Sequence, residues 1–178
     1  MKKIYVITGN AGKAMEYKSI LGERAEIKDM DLLEIQEIDP VKIITHKAKL
    51  AYEVIQEPVV VEDVSLIFTA ISPLPGTFIK WFLKTLEPKG LIILLNSYTD
   101  KSAKAICTIG LYDGKELKIV SGQVSGKISK EPAGENGFGW DAIFIPDGQT
   151  ETYAEMSAMK KNSLSHRRIA ITKLLEII

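Results

Sequence analysis

The triplet Val59-Val60-Val61, set off by Pro58 before it and Glu62-Asp63 after it, limits the fold more than any other feature of this chain. Three β-branched residues in a row leave no polar face, and such a strand suits the inside of a sheet covered on both sides. The preceding segment supplies one cover. Asp39 is placed to cap a helix, Pro40 suits its first position, and Ile44, Ala48, Ala51 and Ile55 recur at helical spacing. A similar alternation opens the chain: Lys3 to Thr8 is a short β-branched run, Gly9 breaks it, and Lys13 to Leu21 turns amphipathic. Strand, loop, helix and strand in that order predict an α/β fold.

The second half adds antiparallel features. Ser72 to Gly76 holds two prolines and a glycine and reads as a rigid loop, followed by short helices at Thr77 to Leu86 and Lys89 to Asn96 around Pro88. Ala103 to Leu111 and Glu116 to Val124 flank the hairpin signal Asp113-Gly114, and Ile143-Phe144-Ile145 is a further short strand after the glycine-rich loop Glu131 to Gly139. A last helix is expected from near Ser163, with Leu164, Ile171, Leu174 or Leu175 and Ile178 on one face. The sheet is therefore expected to be mixed. With 178 residues, 46% of them hydrophobic, and no repeat or linker, one domain over residues 1–178 is expected.

Lys plus Arg and Asp plus Glu both number 23, so no global field draws in a nucleic-acid polymer or an anionic membrane, and a phosphate ligand must be held locally. The single cysteine, Cys107, excludes an intrachain disulfide and a cysteine-based zinc cluster, and its apolar neighbours make it core. The start Met1 to Ile7 imitates an export signal, but its apolar run ends at Thr8, and the block Leu91 to Leu95 is far too short to span a bilayer. A cytoplasmic protein is expected.

Four constellations can carry chemistry. The loop Thr8-Gly9-Asn10-Ala11-Gly12-Lys13 offers backbone amides and a lysine to a phosphate, without the spacing of a Walker loop; an ordinary strand-to-helix turn explains it as well. Glu62-Asp63, expected where the buried strand reaches the surface, together with Glu34 suits magnesium, although an isolated acidic pair equally suits a solvated turn. Gly137-Phe138-Gly139-Trp140-Asp141 pairs two aromatics with a carboxylate, as a purine needs and as a core also would. The run Lys160 to Arg168 is expected at the start of the last helix, with Lys161, Ser165 and Arg167 or Arg168 near one face, where a phosphate or a purine oxo group would offset basic charge at a helix N-terminus.

The order of these segments closely resembles the inosine triphosphate pyrophosphatase family, the non-canonical purine nucleoside triphosphatases, over essentially the whole chain. The matching stretches are TGNAGK at 8–13, VVVEDVSL at 59–66, LPGTFIKWF at 74–82, DKSAKAICT at 100–108, GFGWDAIFIPDG at 137–148 and TYAEMSAMKKNSLSHR at 152–167. The resemblance implies an elongated two-lobed α/β fold with a twisted mixed sheet, a nucleotide cleft between the lobes and a homodimer. It implies magnesium as cofactor, with manganese able to substitute. It further implies release of pyrophosphate from inosine, deoxyinosine or xanthosine triphosphate. Carried over by position, Thr8, Gly9, Asn10, Ala11, Gly12 and Lys13 form the phosphate loop, and Lys47 and Lys80 make further phosphate contacts. Phe138, Gly139, Trp140 and Asp141 form the base pocket, and Lys161, Ser165, His166 and Arg167 close on the purine's oxo edge. Glu34 and Asp63 match the metal carboxylates, and Asp63 also matches the proton acceptor. Glu37 competes with Glu34. Val64-Ser65, Thr77 and Ala142 depart from the family pattern, so at position 64 only the backbone can touch substrate. A pyrimidine nucleotide pyrophosphatase and a nucleotide-binding regulator with weakened catalysis are the alternative readings.

Overall fold

The computed structural model describes residues 3–178; Met1 and Lys2, where the imitation of an export signal begins, lie outside the described residues. A mixed sheet of seven strands runs in the order β2-β1-β3-β5-β6-β7, with β4 paired to β3. β1 (Ile4–Ile7) lies parallel to both β2 (Ala25–Lys28) and β3 (Val59–Phe68), with Val6 opposite Ile27 and Val60. β3 is antiparallel to β4 (Pro75–Gly76), and β6 (Leu117–Ile128) is antiparallel to β7 (Phe144–Pro146). The expected α/β class and mixed sheet are what the chain forms. The four-residue β2 was not anticipated, and β3 extends seven residues past Val61 rather than ending there.

The chain divides into two compact units. The first holds residues up to Asp63, Cys107–Gly122 and Arg167–Ile178. α1 (Ala11–Leu21) is capped by the Asn10 side chain, which accepts from the Lys13 amide. α2 (Pro40–Ile55) starts as expected, with the Asp39 carboxylate accepting from the Val41 amide and proline in the first turn. Its apolar stripe places Ile44, Ala48 and Ala51 against Ile7, Val59 and Val61 in one core, with Tyr52 and Tyr112 edge to face beside it.

The second unit holds Val64–Ile106 and Gln123–His166. Its core gathers Leu66, Phe68, Leu91, Trp140, Phe144, Tyr153 and Met156. α3 (Ile79–Leu94) is broken at Glu87, which leaves helical geometry (φ 57°, ψ 174°) because the ring of Pro88 disfavours a helical residue before it. This matches two short helices around a proline. The hairpin of β5 (Ser102–Tyr112) and β6 also forms as expected, and Cys107 is fully buried. The basic run does not open one last helix. α4 (Ala158–Leu164) ends at Ser165, whose extended backbone separates it from α5 (His166–Leu175). Lys161 and Arg167 thus belong to different helices, and the single-face arrangement expected of them does not exist. No helix among the described residues is long and apolar enough to cross a membrane.

Candidate active site

In the first unit β1 stops at Ile7, and the Thr8 amide still donates to the Lys28 carbonyl at 3.0 Å. Asn10 then turns the chain: its amide donates to the Thr8 hydroxyl at 3.1 Å and its side-chain oxygen accepts from the Lys13 amide at 3.0 Å. Ala11 and Gly12 follow as the first helical residues, so free N–H groups of α1 sit at the loop, where an anion is favoured. Gly9 lies close under Asp29: a Cβ there would be 2.6 Å from Asp29 Oδ1, so the aspartate side chain would have to shift.

Asp63 stands next to a lysine and an acid brought from other segments. Lys47 of α2 donates through Nζ to Glu34 at 2.8 Å and to the Glu62 carbonyl at 2.9 Å. Asp63 Oδ2 is buried without a hydrogen-bond partner. Burial raises the Asp63 carboxyl to about 6; Lys47 and Lys13 pull it down, and the charges of Glu34 and Glu62 push it up. Glu37 instead receives the amides of Ile38 and Asp39 and the Lys42 ammonium at 3.0 Å. Glu34, with Lys47 between it and the Asp63 segment, is the better placed of the two. An underused carboxylate oxygen beside a second carboxylate offers the hard oxygen donors that magnesium takes while keeping several waters.

Glu62 departs most from expectation. It is only 4% exposed, in mid-strand, because the strand continues and its side chain meets partners no local pattern reveals. It accepts from Arg167 Nε at 3.0 Å and Nη2 at 3.1 Å, and it pairs with Lys13 Nζ at 2.8 Å. The Cys107 thiol donates to it at 3.7 Å. Burial opposes the charge, but the Arg167 guanidinium and the Lys13 ammonium outweigh burial and hold Glu62 well below the ordinary carboxylate range. Arg167 Nη1 donates to Glu16 at 2.7 Å. Tyr17 is fully buried nearby; burial, then the Glu62 charge, raises its phenol well above the usual value. Glu16 and Tyr17 escaped the sequence reading, although Lys13, Glu16 and Tyr17 share the i, i+3, i+4 spacing of one helical face.

The second unit assembles the aromatic residues. Asp141 Oδ2 accepts from the Phe138 amide at 2.8 Å and from Lys161 Nζ at 2.7 Å, and both side chains are buried. Gly137, at φ +77°, admits this contact, since a Cβ would lie 2.2 Å from Asp141 Oδ2. Lys161 Nζ sits 4.8 Å from the centre of the half-buried Phe138 ring. Trp140 is core: its ring lies 5.3 Å from that of His166, 5.5 Å from Phe144 and 6.2 Å from Tyr153. Gly139 is exposed at φ +65°. Lys80 is exposed with Nζ 5.9 Å over the Trp81 ring, and Val64 packs on the unit's core.

The structure thus brings Thr8 to Lys13, Glu34, Lys47 and Asp63 together in the first unit, and Phe138, Trp140, Asp141, Lys161 and His166 in the second. Arg167 does not join Lys161; its guanidinium goes to Glu62 and Glu16.

The profile of the Ham1 family matches residues 4–177. Over the whole chain and 96% of the relative, 42% of residues are identical to the inosine triphosphate pyrophosphatase of Schizosaccharomyces pombe. The protein of that name in Neurospora crassa is 46% identical over 96% of this chain and 89% of its own. Among solved structures, a HAM1 protein from Coxiella burnetii superposes with a TM-score of 0.84 at 28% identity, covering 99% of this chain and 98% of the other. The dITP/XTP pyrophosphatase of Mycobacterium abscessus gives a TM-score of 0.76 at 25% identity, over 97% and 98%. With its sequence matched almost end to end and its fold shared, this chain belongs to the Ham1 family.

Proposed function

We propose that this chain hydrolyses inosine, deoxyinosine and xanthosine triphosphates to the monophosphate and pyrophosphate, as one catalytic domain acting as a cytoplasmic homodimer. The activities named for its relatives support the reaction, and the state of Asp63 is the observation that carries it. A carboxyl raised to about 6, with a buried free oxygen, is matched to accept a proton near neutral pH.

Asp63 takes a proton from water as the water oxygen bonds to the α-phosphorus. The bond from that phosphorus to the bridging oxygen breaks, and its electron pair leaves with pyrophosphate. Lys13 and Lys47 stabilise negative charge on the phosphates, and the amides of Ala11 and Gly12 orient them. Asp63 and Glu34 would hold magnesium, which would supply charge neutralisation along the triphosphate. Phe138 offers a ring face to the base, and the Asp141 and Lys161 pair offers an acceptor and a donor. A donor aimed at the 6-oxo group is left unpaired by a 6-amino group, which disfavours adenine.

Pyrophosphate and orthophosphate are assayed separately over a panel of purine and pyrimidine triphosphates, with and without magnesium. Pyrophosphate alone is expected, only with the metal, and at least ~10-fold faster from inosine than from adenosine triphosphate. Orthophosphate as product, or equal rates on the two purines, would sink the reading.

A further inference from the structure

Glu62 is shared between two cations, Lys13 of the phosphate-loop helix and Arg167 of the last helix. Its Oε1 receives Lys13 Nζ at 2.8 Å from the phosphate-loop helix, while both of its oxygens receive Arg167 from α5. The carboxylate is 3% exposed and the guanidinium 2%, whereas the Lys13 side chain keeps 23%. A carboxylate so buried must keep a cation, because a buried charge without a partner is strongly destabilising. Lys13 is the more exposed of the two partners and the one beside the anion-binding loop. Arg167 is fixed further by Glu16 at 2.7 Å.

From this geometry we infer that Glu62 is a positioning residue that couples the phosphate loop to Arg167. In the structure Lys13 is held on Glu62. A polyphosphate in the loop draws the ammonium toward itself, and Glu62 then leans on Arg167. When Arg167 is removed, Glu62 keeps Lys13 and withholds it from the phosphate. The consequence is specific: Arg167 governs affinity for a ligand that has no base. The inference rests on the phosphate-loop reading above, but not on turnover.

Inorganic tripolyphosphate is the probe, with binding measured by calorimetry on the full chain. Arg167→Met is expected to weaken binding by roughly 10-fold, within the range of couplings between residues that share a partner. Arg167→Lys, which keeps a cation at Glu62, should retain most of the affinity, and in a Lys13→Met background Arg167→Met should have no further effect. The wild-type protein gives a second readout that needs no folded variant. The Arg167 Nε–H resonance, hydrogen-bonded to Glu62, should shift when tripolyphosphate saturates the loop, and Lys13→Met should abolish that shift. Unchanged affinity in Arg167→Met, or an unmoved resonance at saturation, overturns the coupling alone. No binding by the wild-type protein overturns the phosphate-loop reading and the coupling with it.

Discussion

Glu62 and Asp63 are consecutive residues of β3, yet the two faces of that strand treat their carboxylates in opposite ways. Side chains alternate across a strand, so neighbours in sequence meet different surroundings. Glu62 turns to Arg167, Lys13 and Cys107 and is held charged, far below the ordinary carboxylate range. Asp63 is desolvated with an oxygen left unpaired, and its carboxyl rises to about 6. Burial penalises both charges. What separates them is contact with cations: at Glu62 the bonded Arg167 and Lys13 outweigh burial and fix the carboxylate as structure, while at Asp63 burial outweighs the pull of Lys47 and Lys13 and leaves an oxygen for protons or metal.

The comparison breaks most readily at Asp63. Asp63→Asn should lower pyrophosphate release from inosine triphosphate by about 10²–10⁴-fold, the usual contribution of a general base, while the protein stays folded. Glu62→Ala should do the reverse, acting first on stability. It leaves the buried Arg167 with Glu16 as its remaining bonded carboxylate and should cost about 3 kcal/mol, read as a fall of about 10 °C in Tm. Equal losses of rate with intact folding in both variants would erase the distinction between the two faces.

Acid sharpens it further. Asp63 has a folded pKa raised to about 6 from 3.8, so the charged form is a burden on the native state above that pH, and the burden disappears as the pH falls. Glu62 has a depressed folded pKa, so its stabilisation is complete above its ordinary value of 4.5 and is lost only as the pH falls through the folded value. Between pH 7.5 and 5, therefore, Glu62 contributes no change. Activity should fall in acid as Asp63 takes up a proton, and raising the magnesium concentration, which favours the charged carboxylate, should move that fall to lower pH. Without divalent cations, Asp63→Asn should be more stable than the wild type at pH 7.5, by about 1–2 kcal/mol given the partial exposure of Asp63, and the gap should narrow by about half toward pH 5. A gap that widens in acid would refute the assignment.

What the sequence makes legible follows the range of the forces involved. The turn from strand to helix at Thr8 to Lys13, the Asp39-Pro40 helix start and the extended backbone of Val59 to Val61 depend mainly on residues a few positions apart, and each of these local geometries forms as read. Ala25 to Lys28 holds its strand through pairing with β1, which four residues of mixed polarity do not announce. The burial of Glu62 was misread because its chief partner is 105 positions away. Arg167 looked like part of a basic helical face with Lys161, but the extended backbone at Ser165 sends the two lysine and arginine side chains to different carboxylates. Trp140 and Asp141 were legible as an aromatic and acidic group, whereas the packing of Trp140 on Phe144, Tyr153 and His166 required the fold.

The smallest expected effect concerns Cys107, the weakest donor on the Glu62 face. Its thiol is fully buried, and burial, then the nearby Glu62 charge, raises it well above the ordinary thiol value, so it exists as a neutral donor. At 3.7 Å it adds little to a carboxylate that already holds a guanidinium and an ammonium. Cys107→Ala should then cost at most about 1 kcal/mol, the loss of one small apolar group from a tight core, and leave the rate with inosine triphosphate unchanged. Native protein should also resist alkylation until it unfolds. A large loss of rate in a folded Cys107→Ala variant would mean that the thiol sets the position of Glu62, and the two cations would no longer suffice to explain why that face of β3 is fixed.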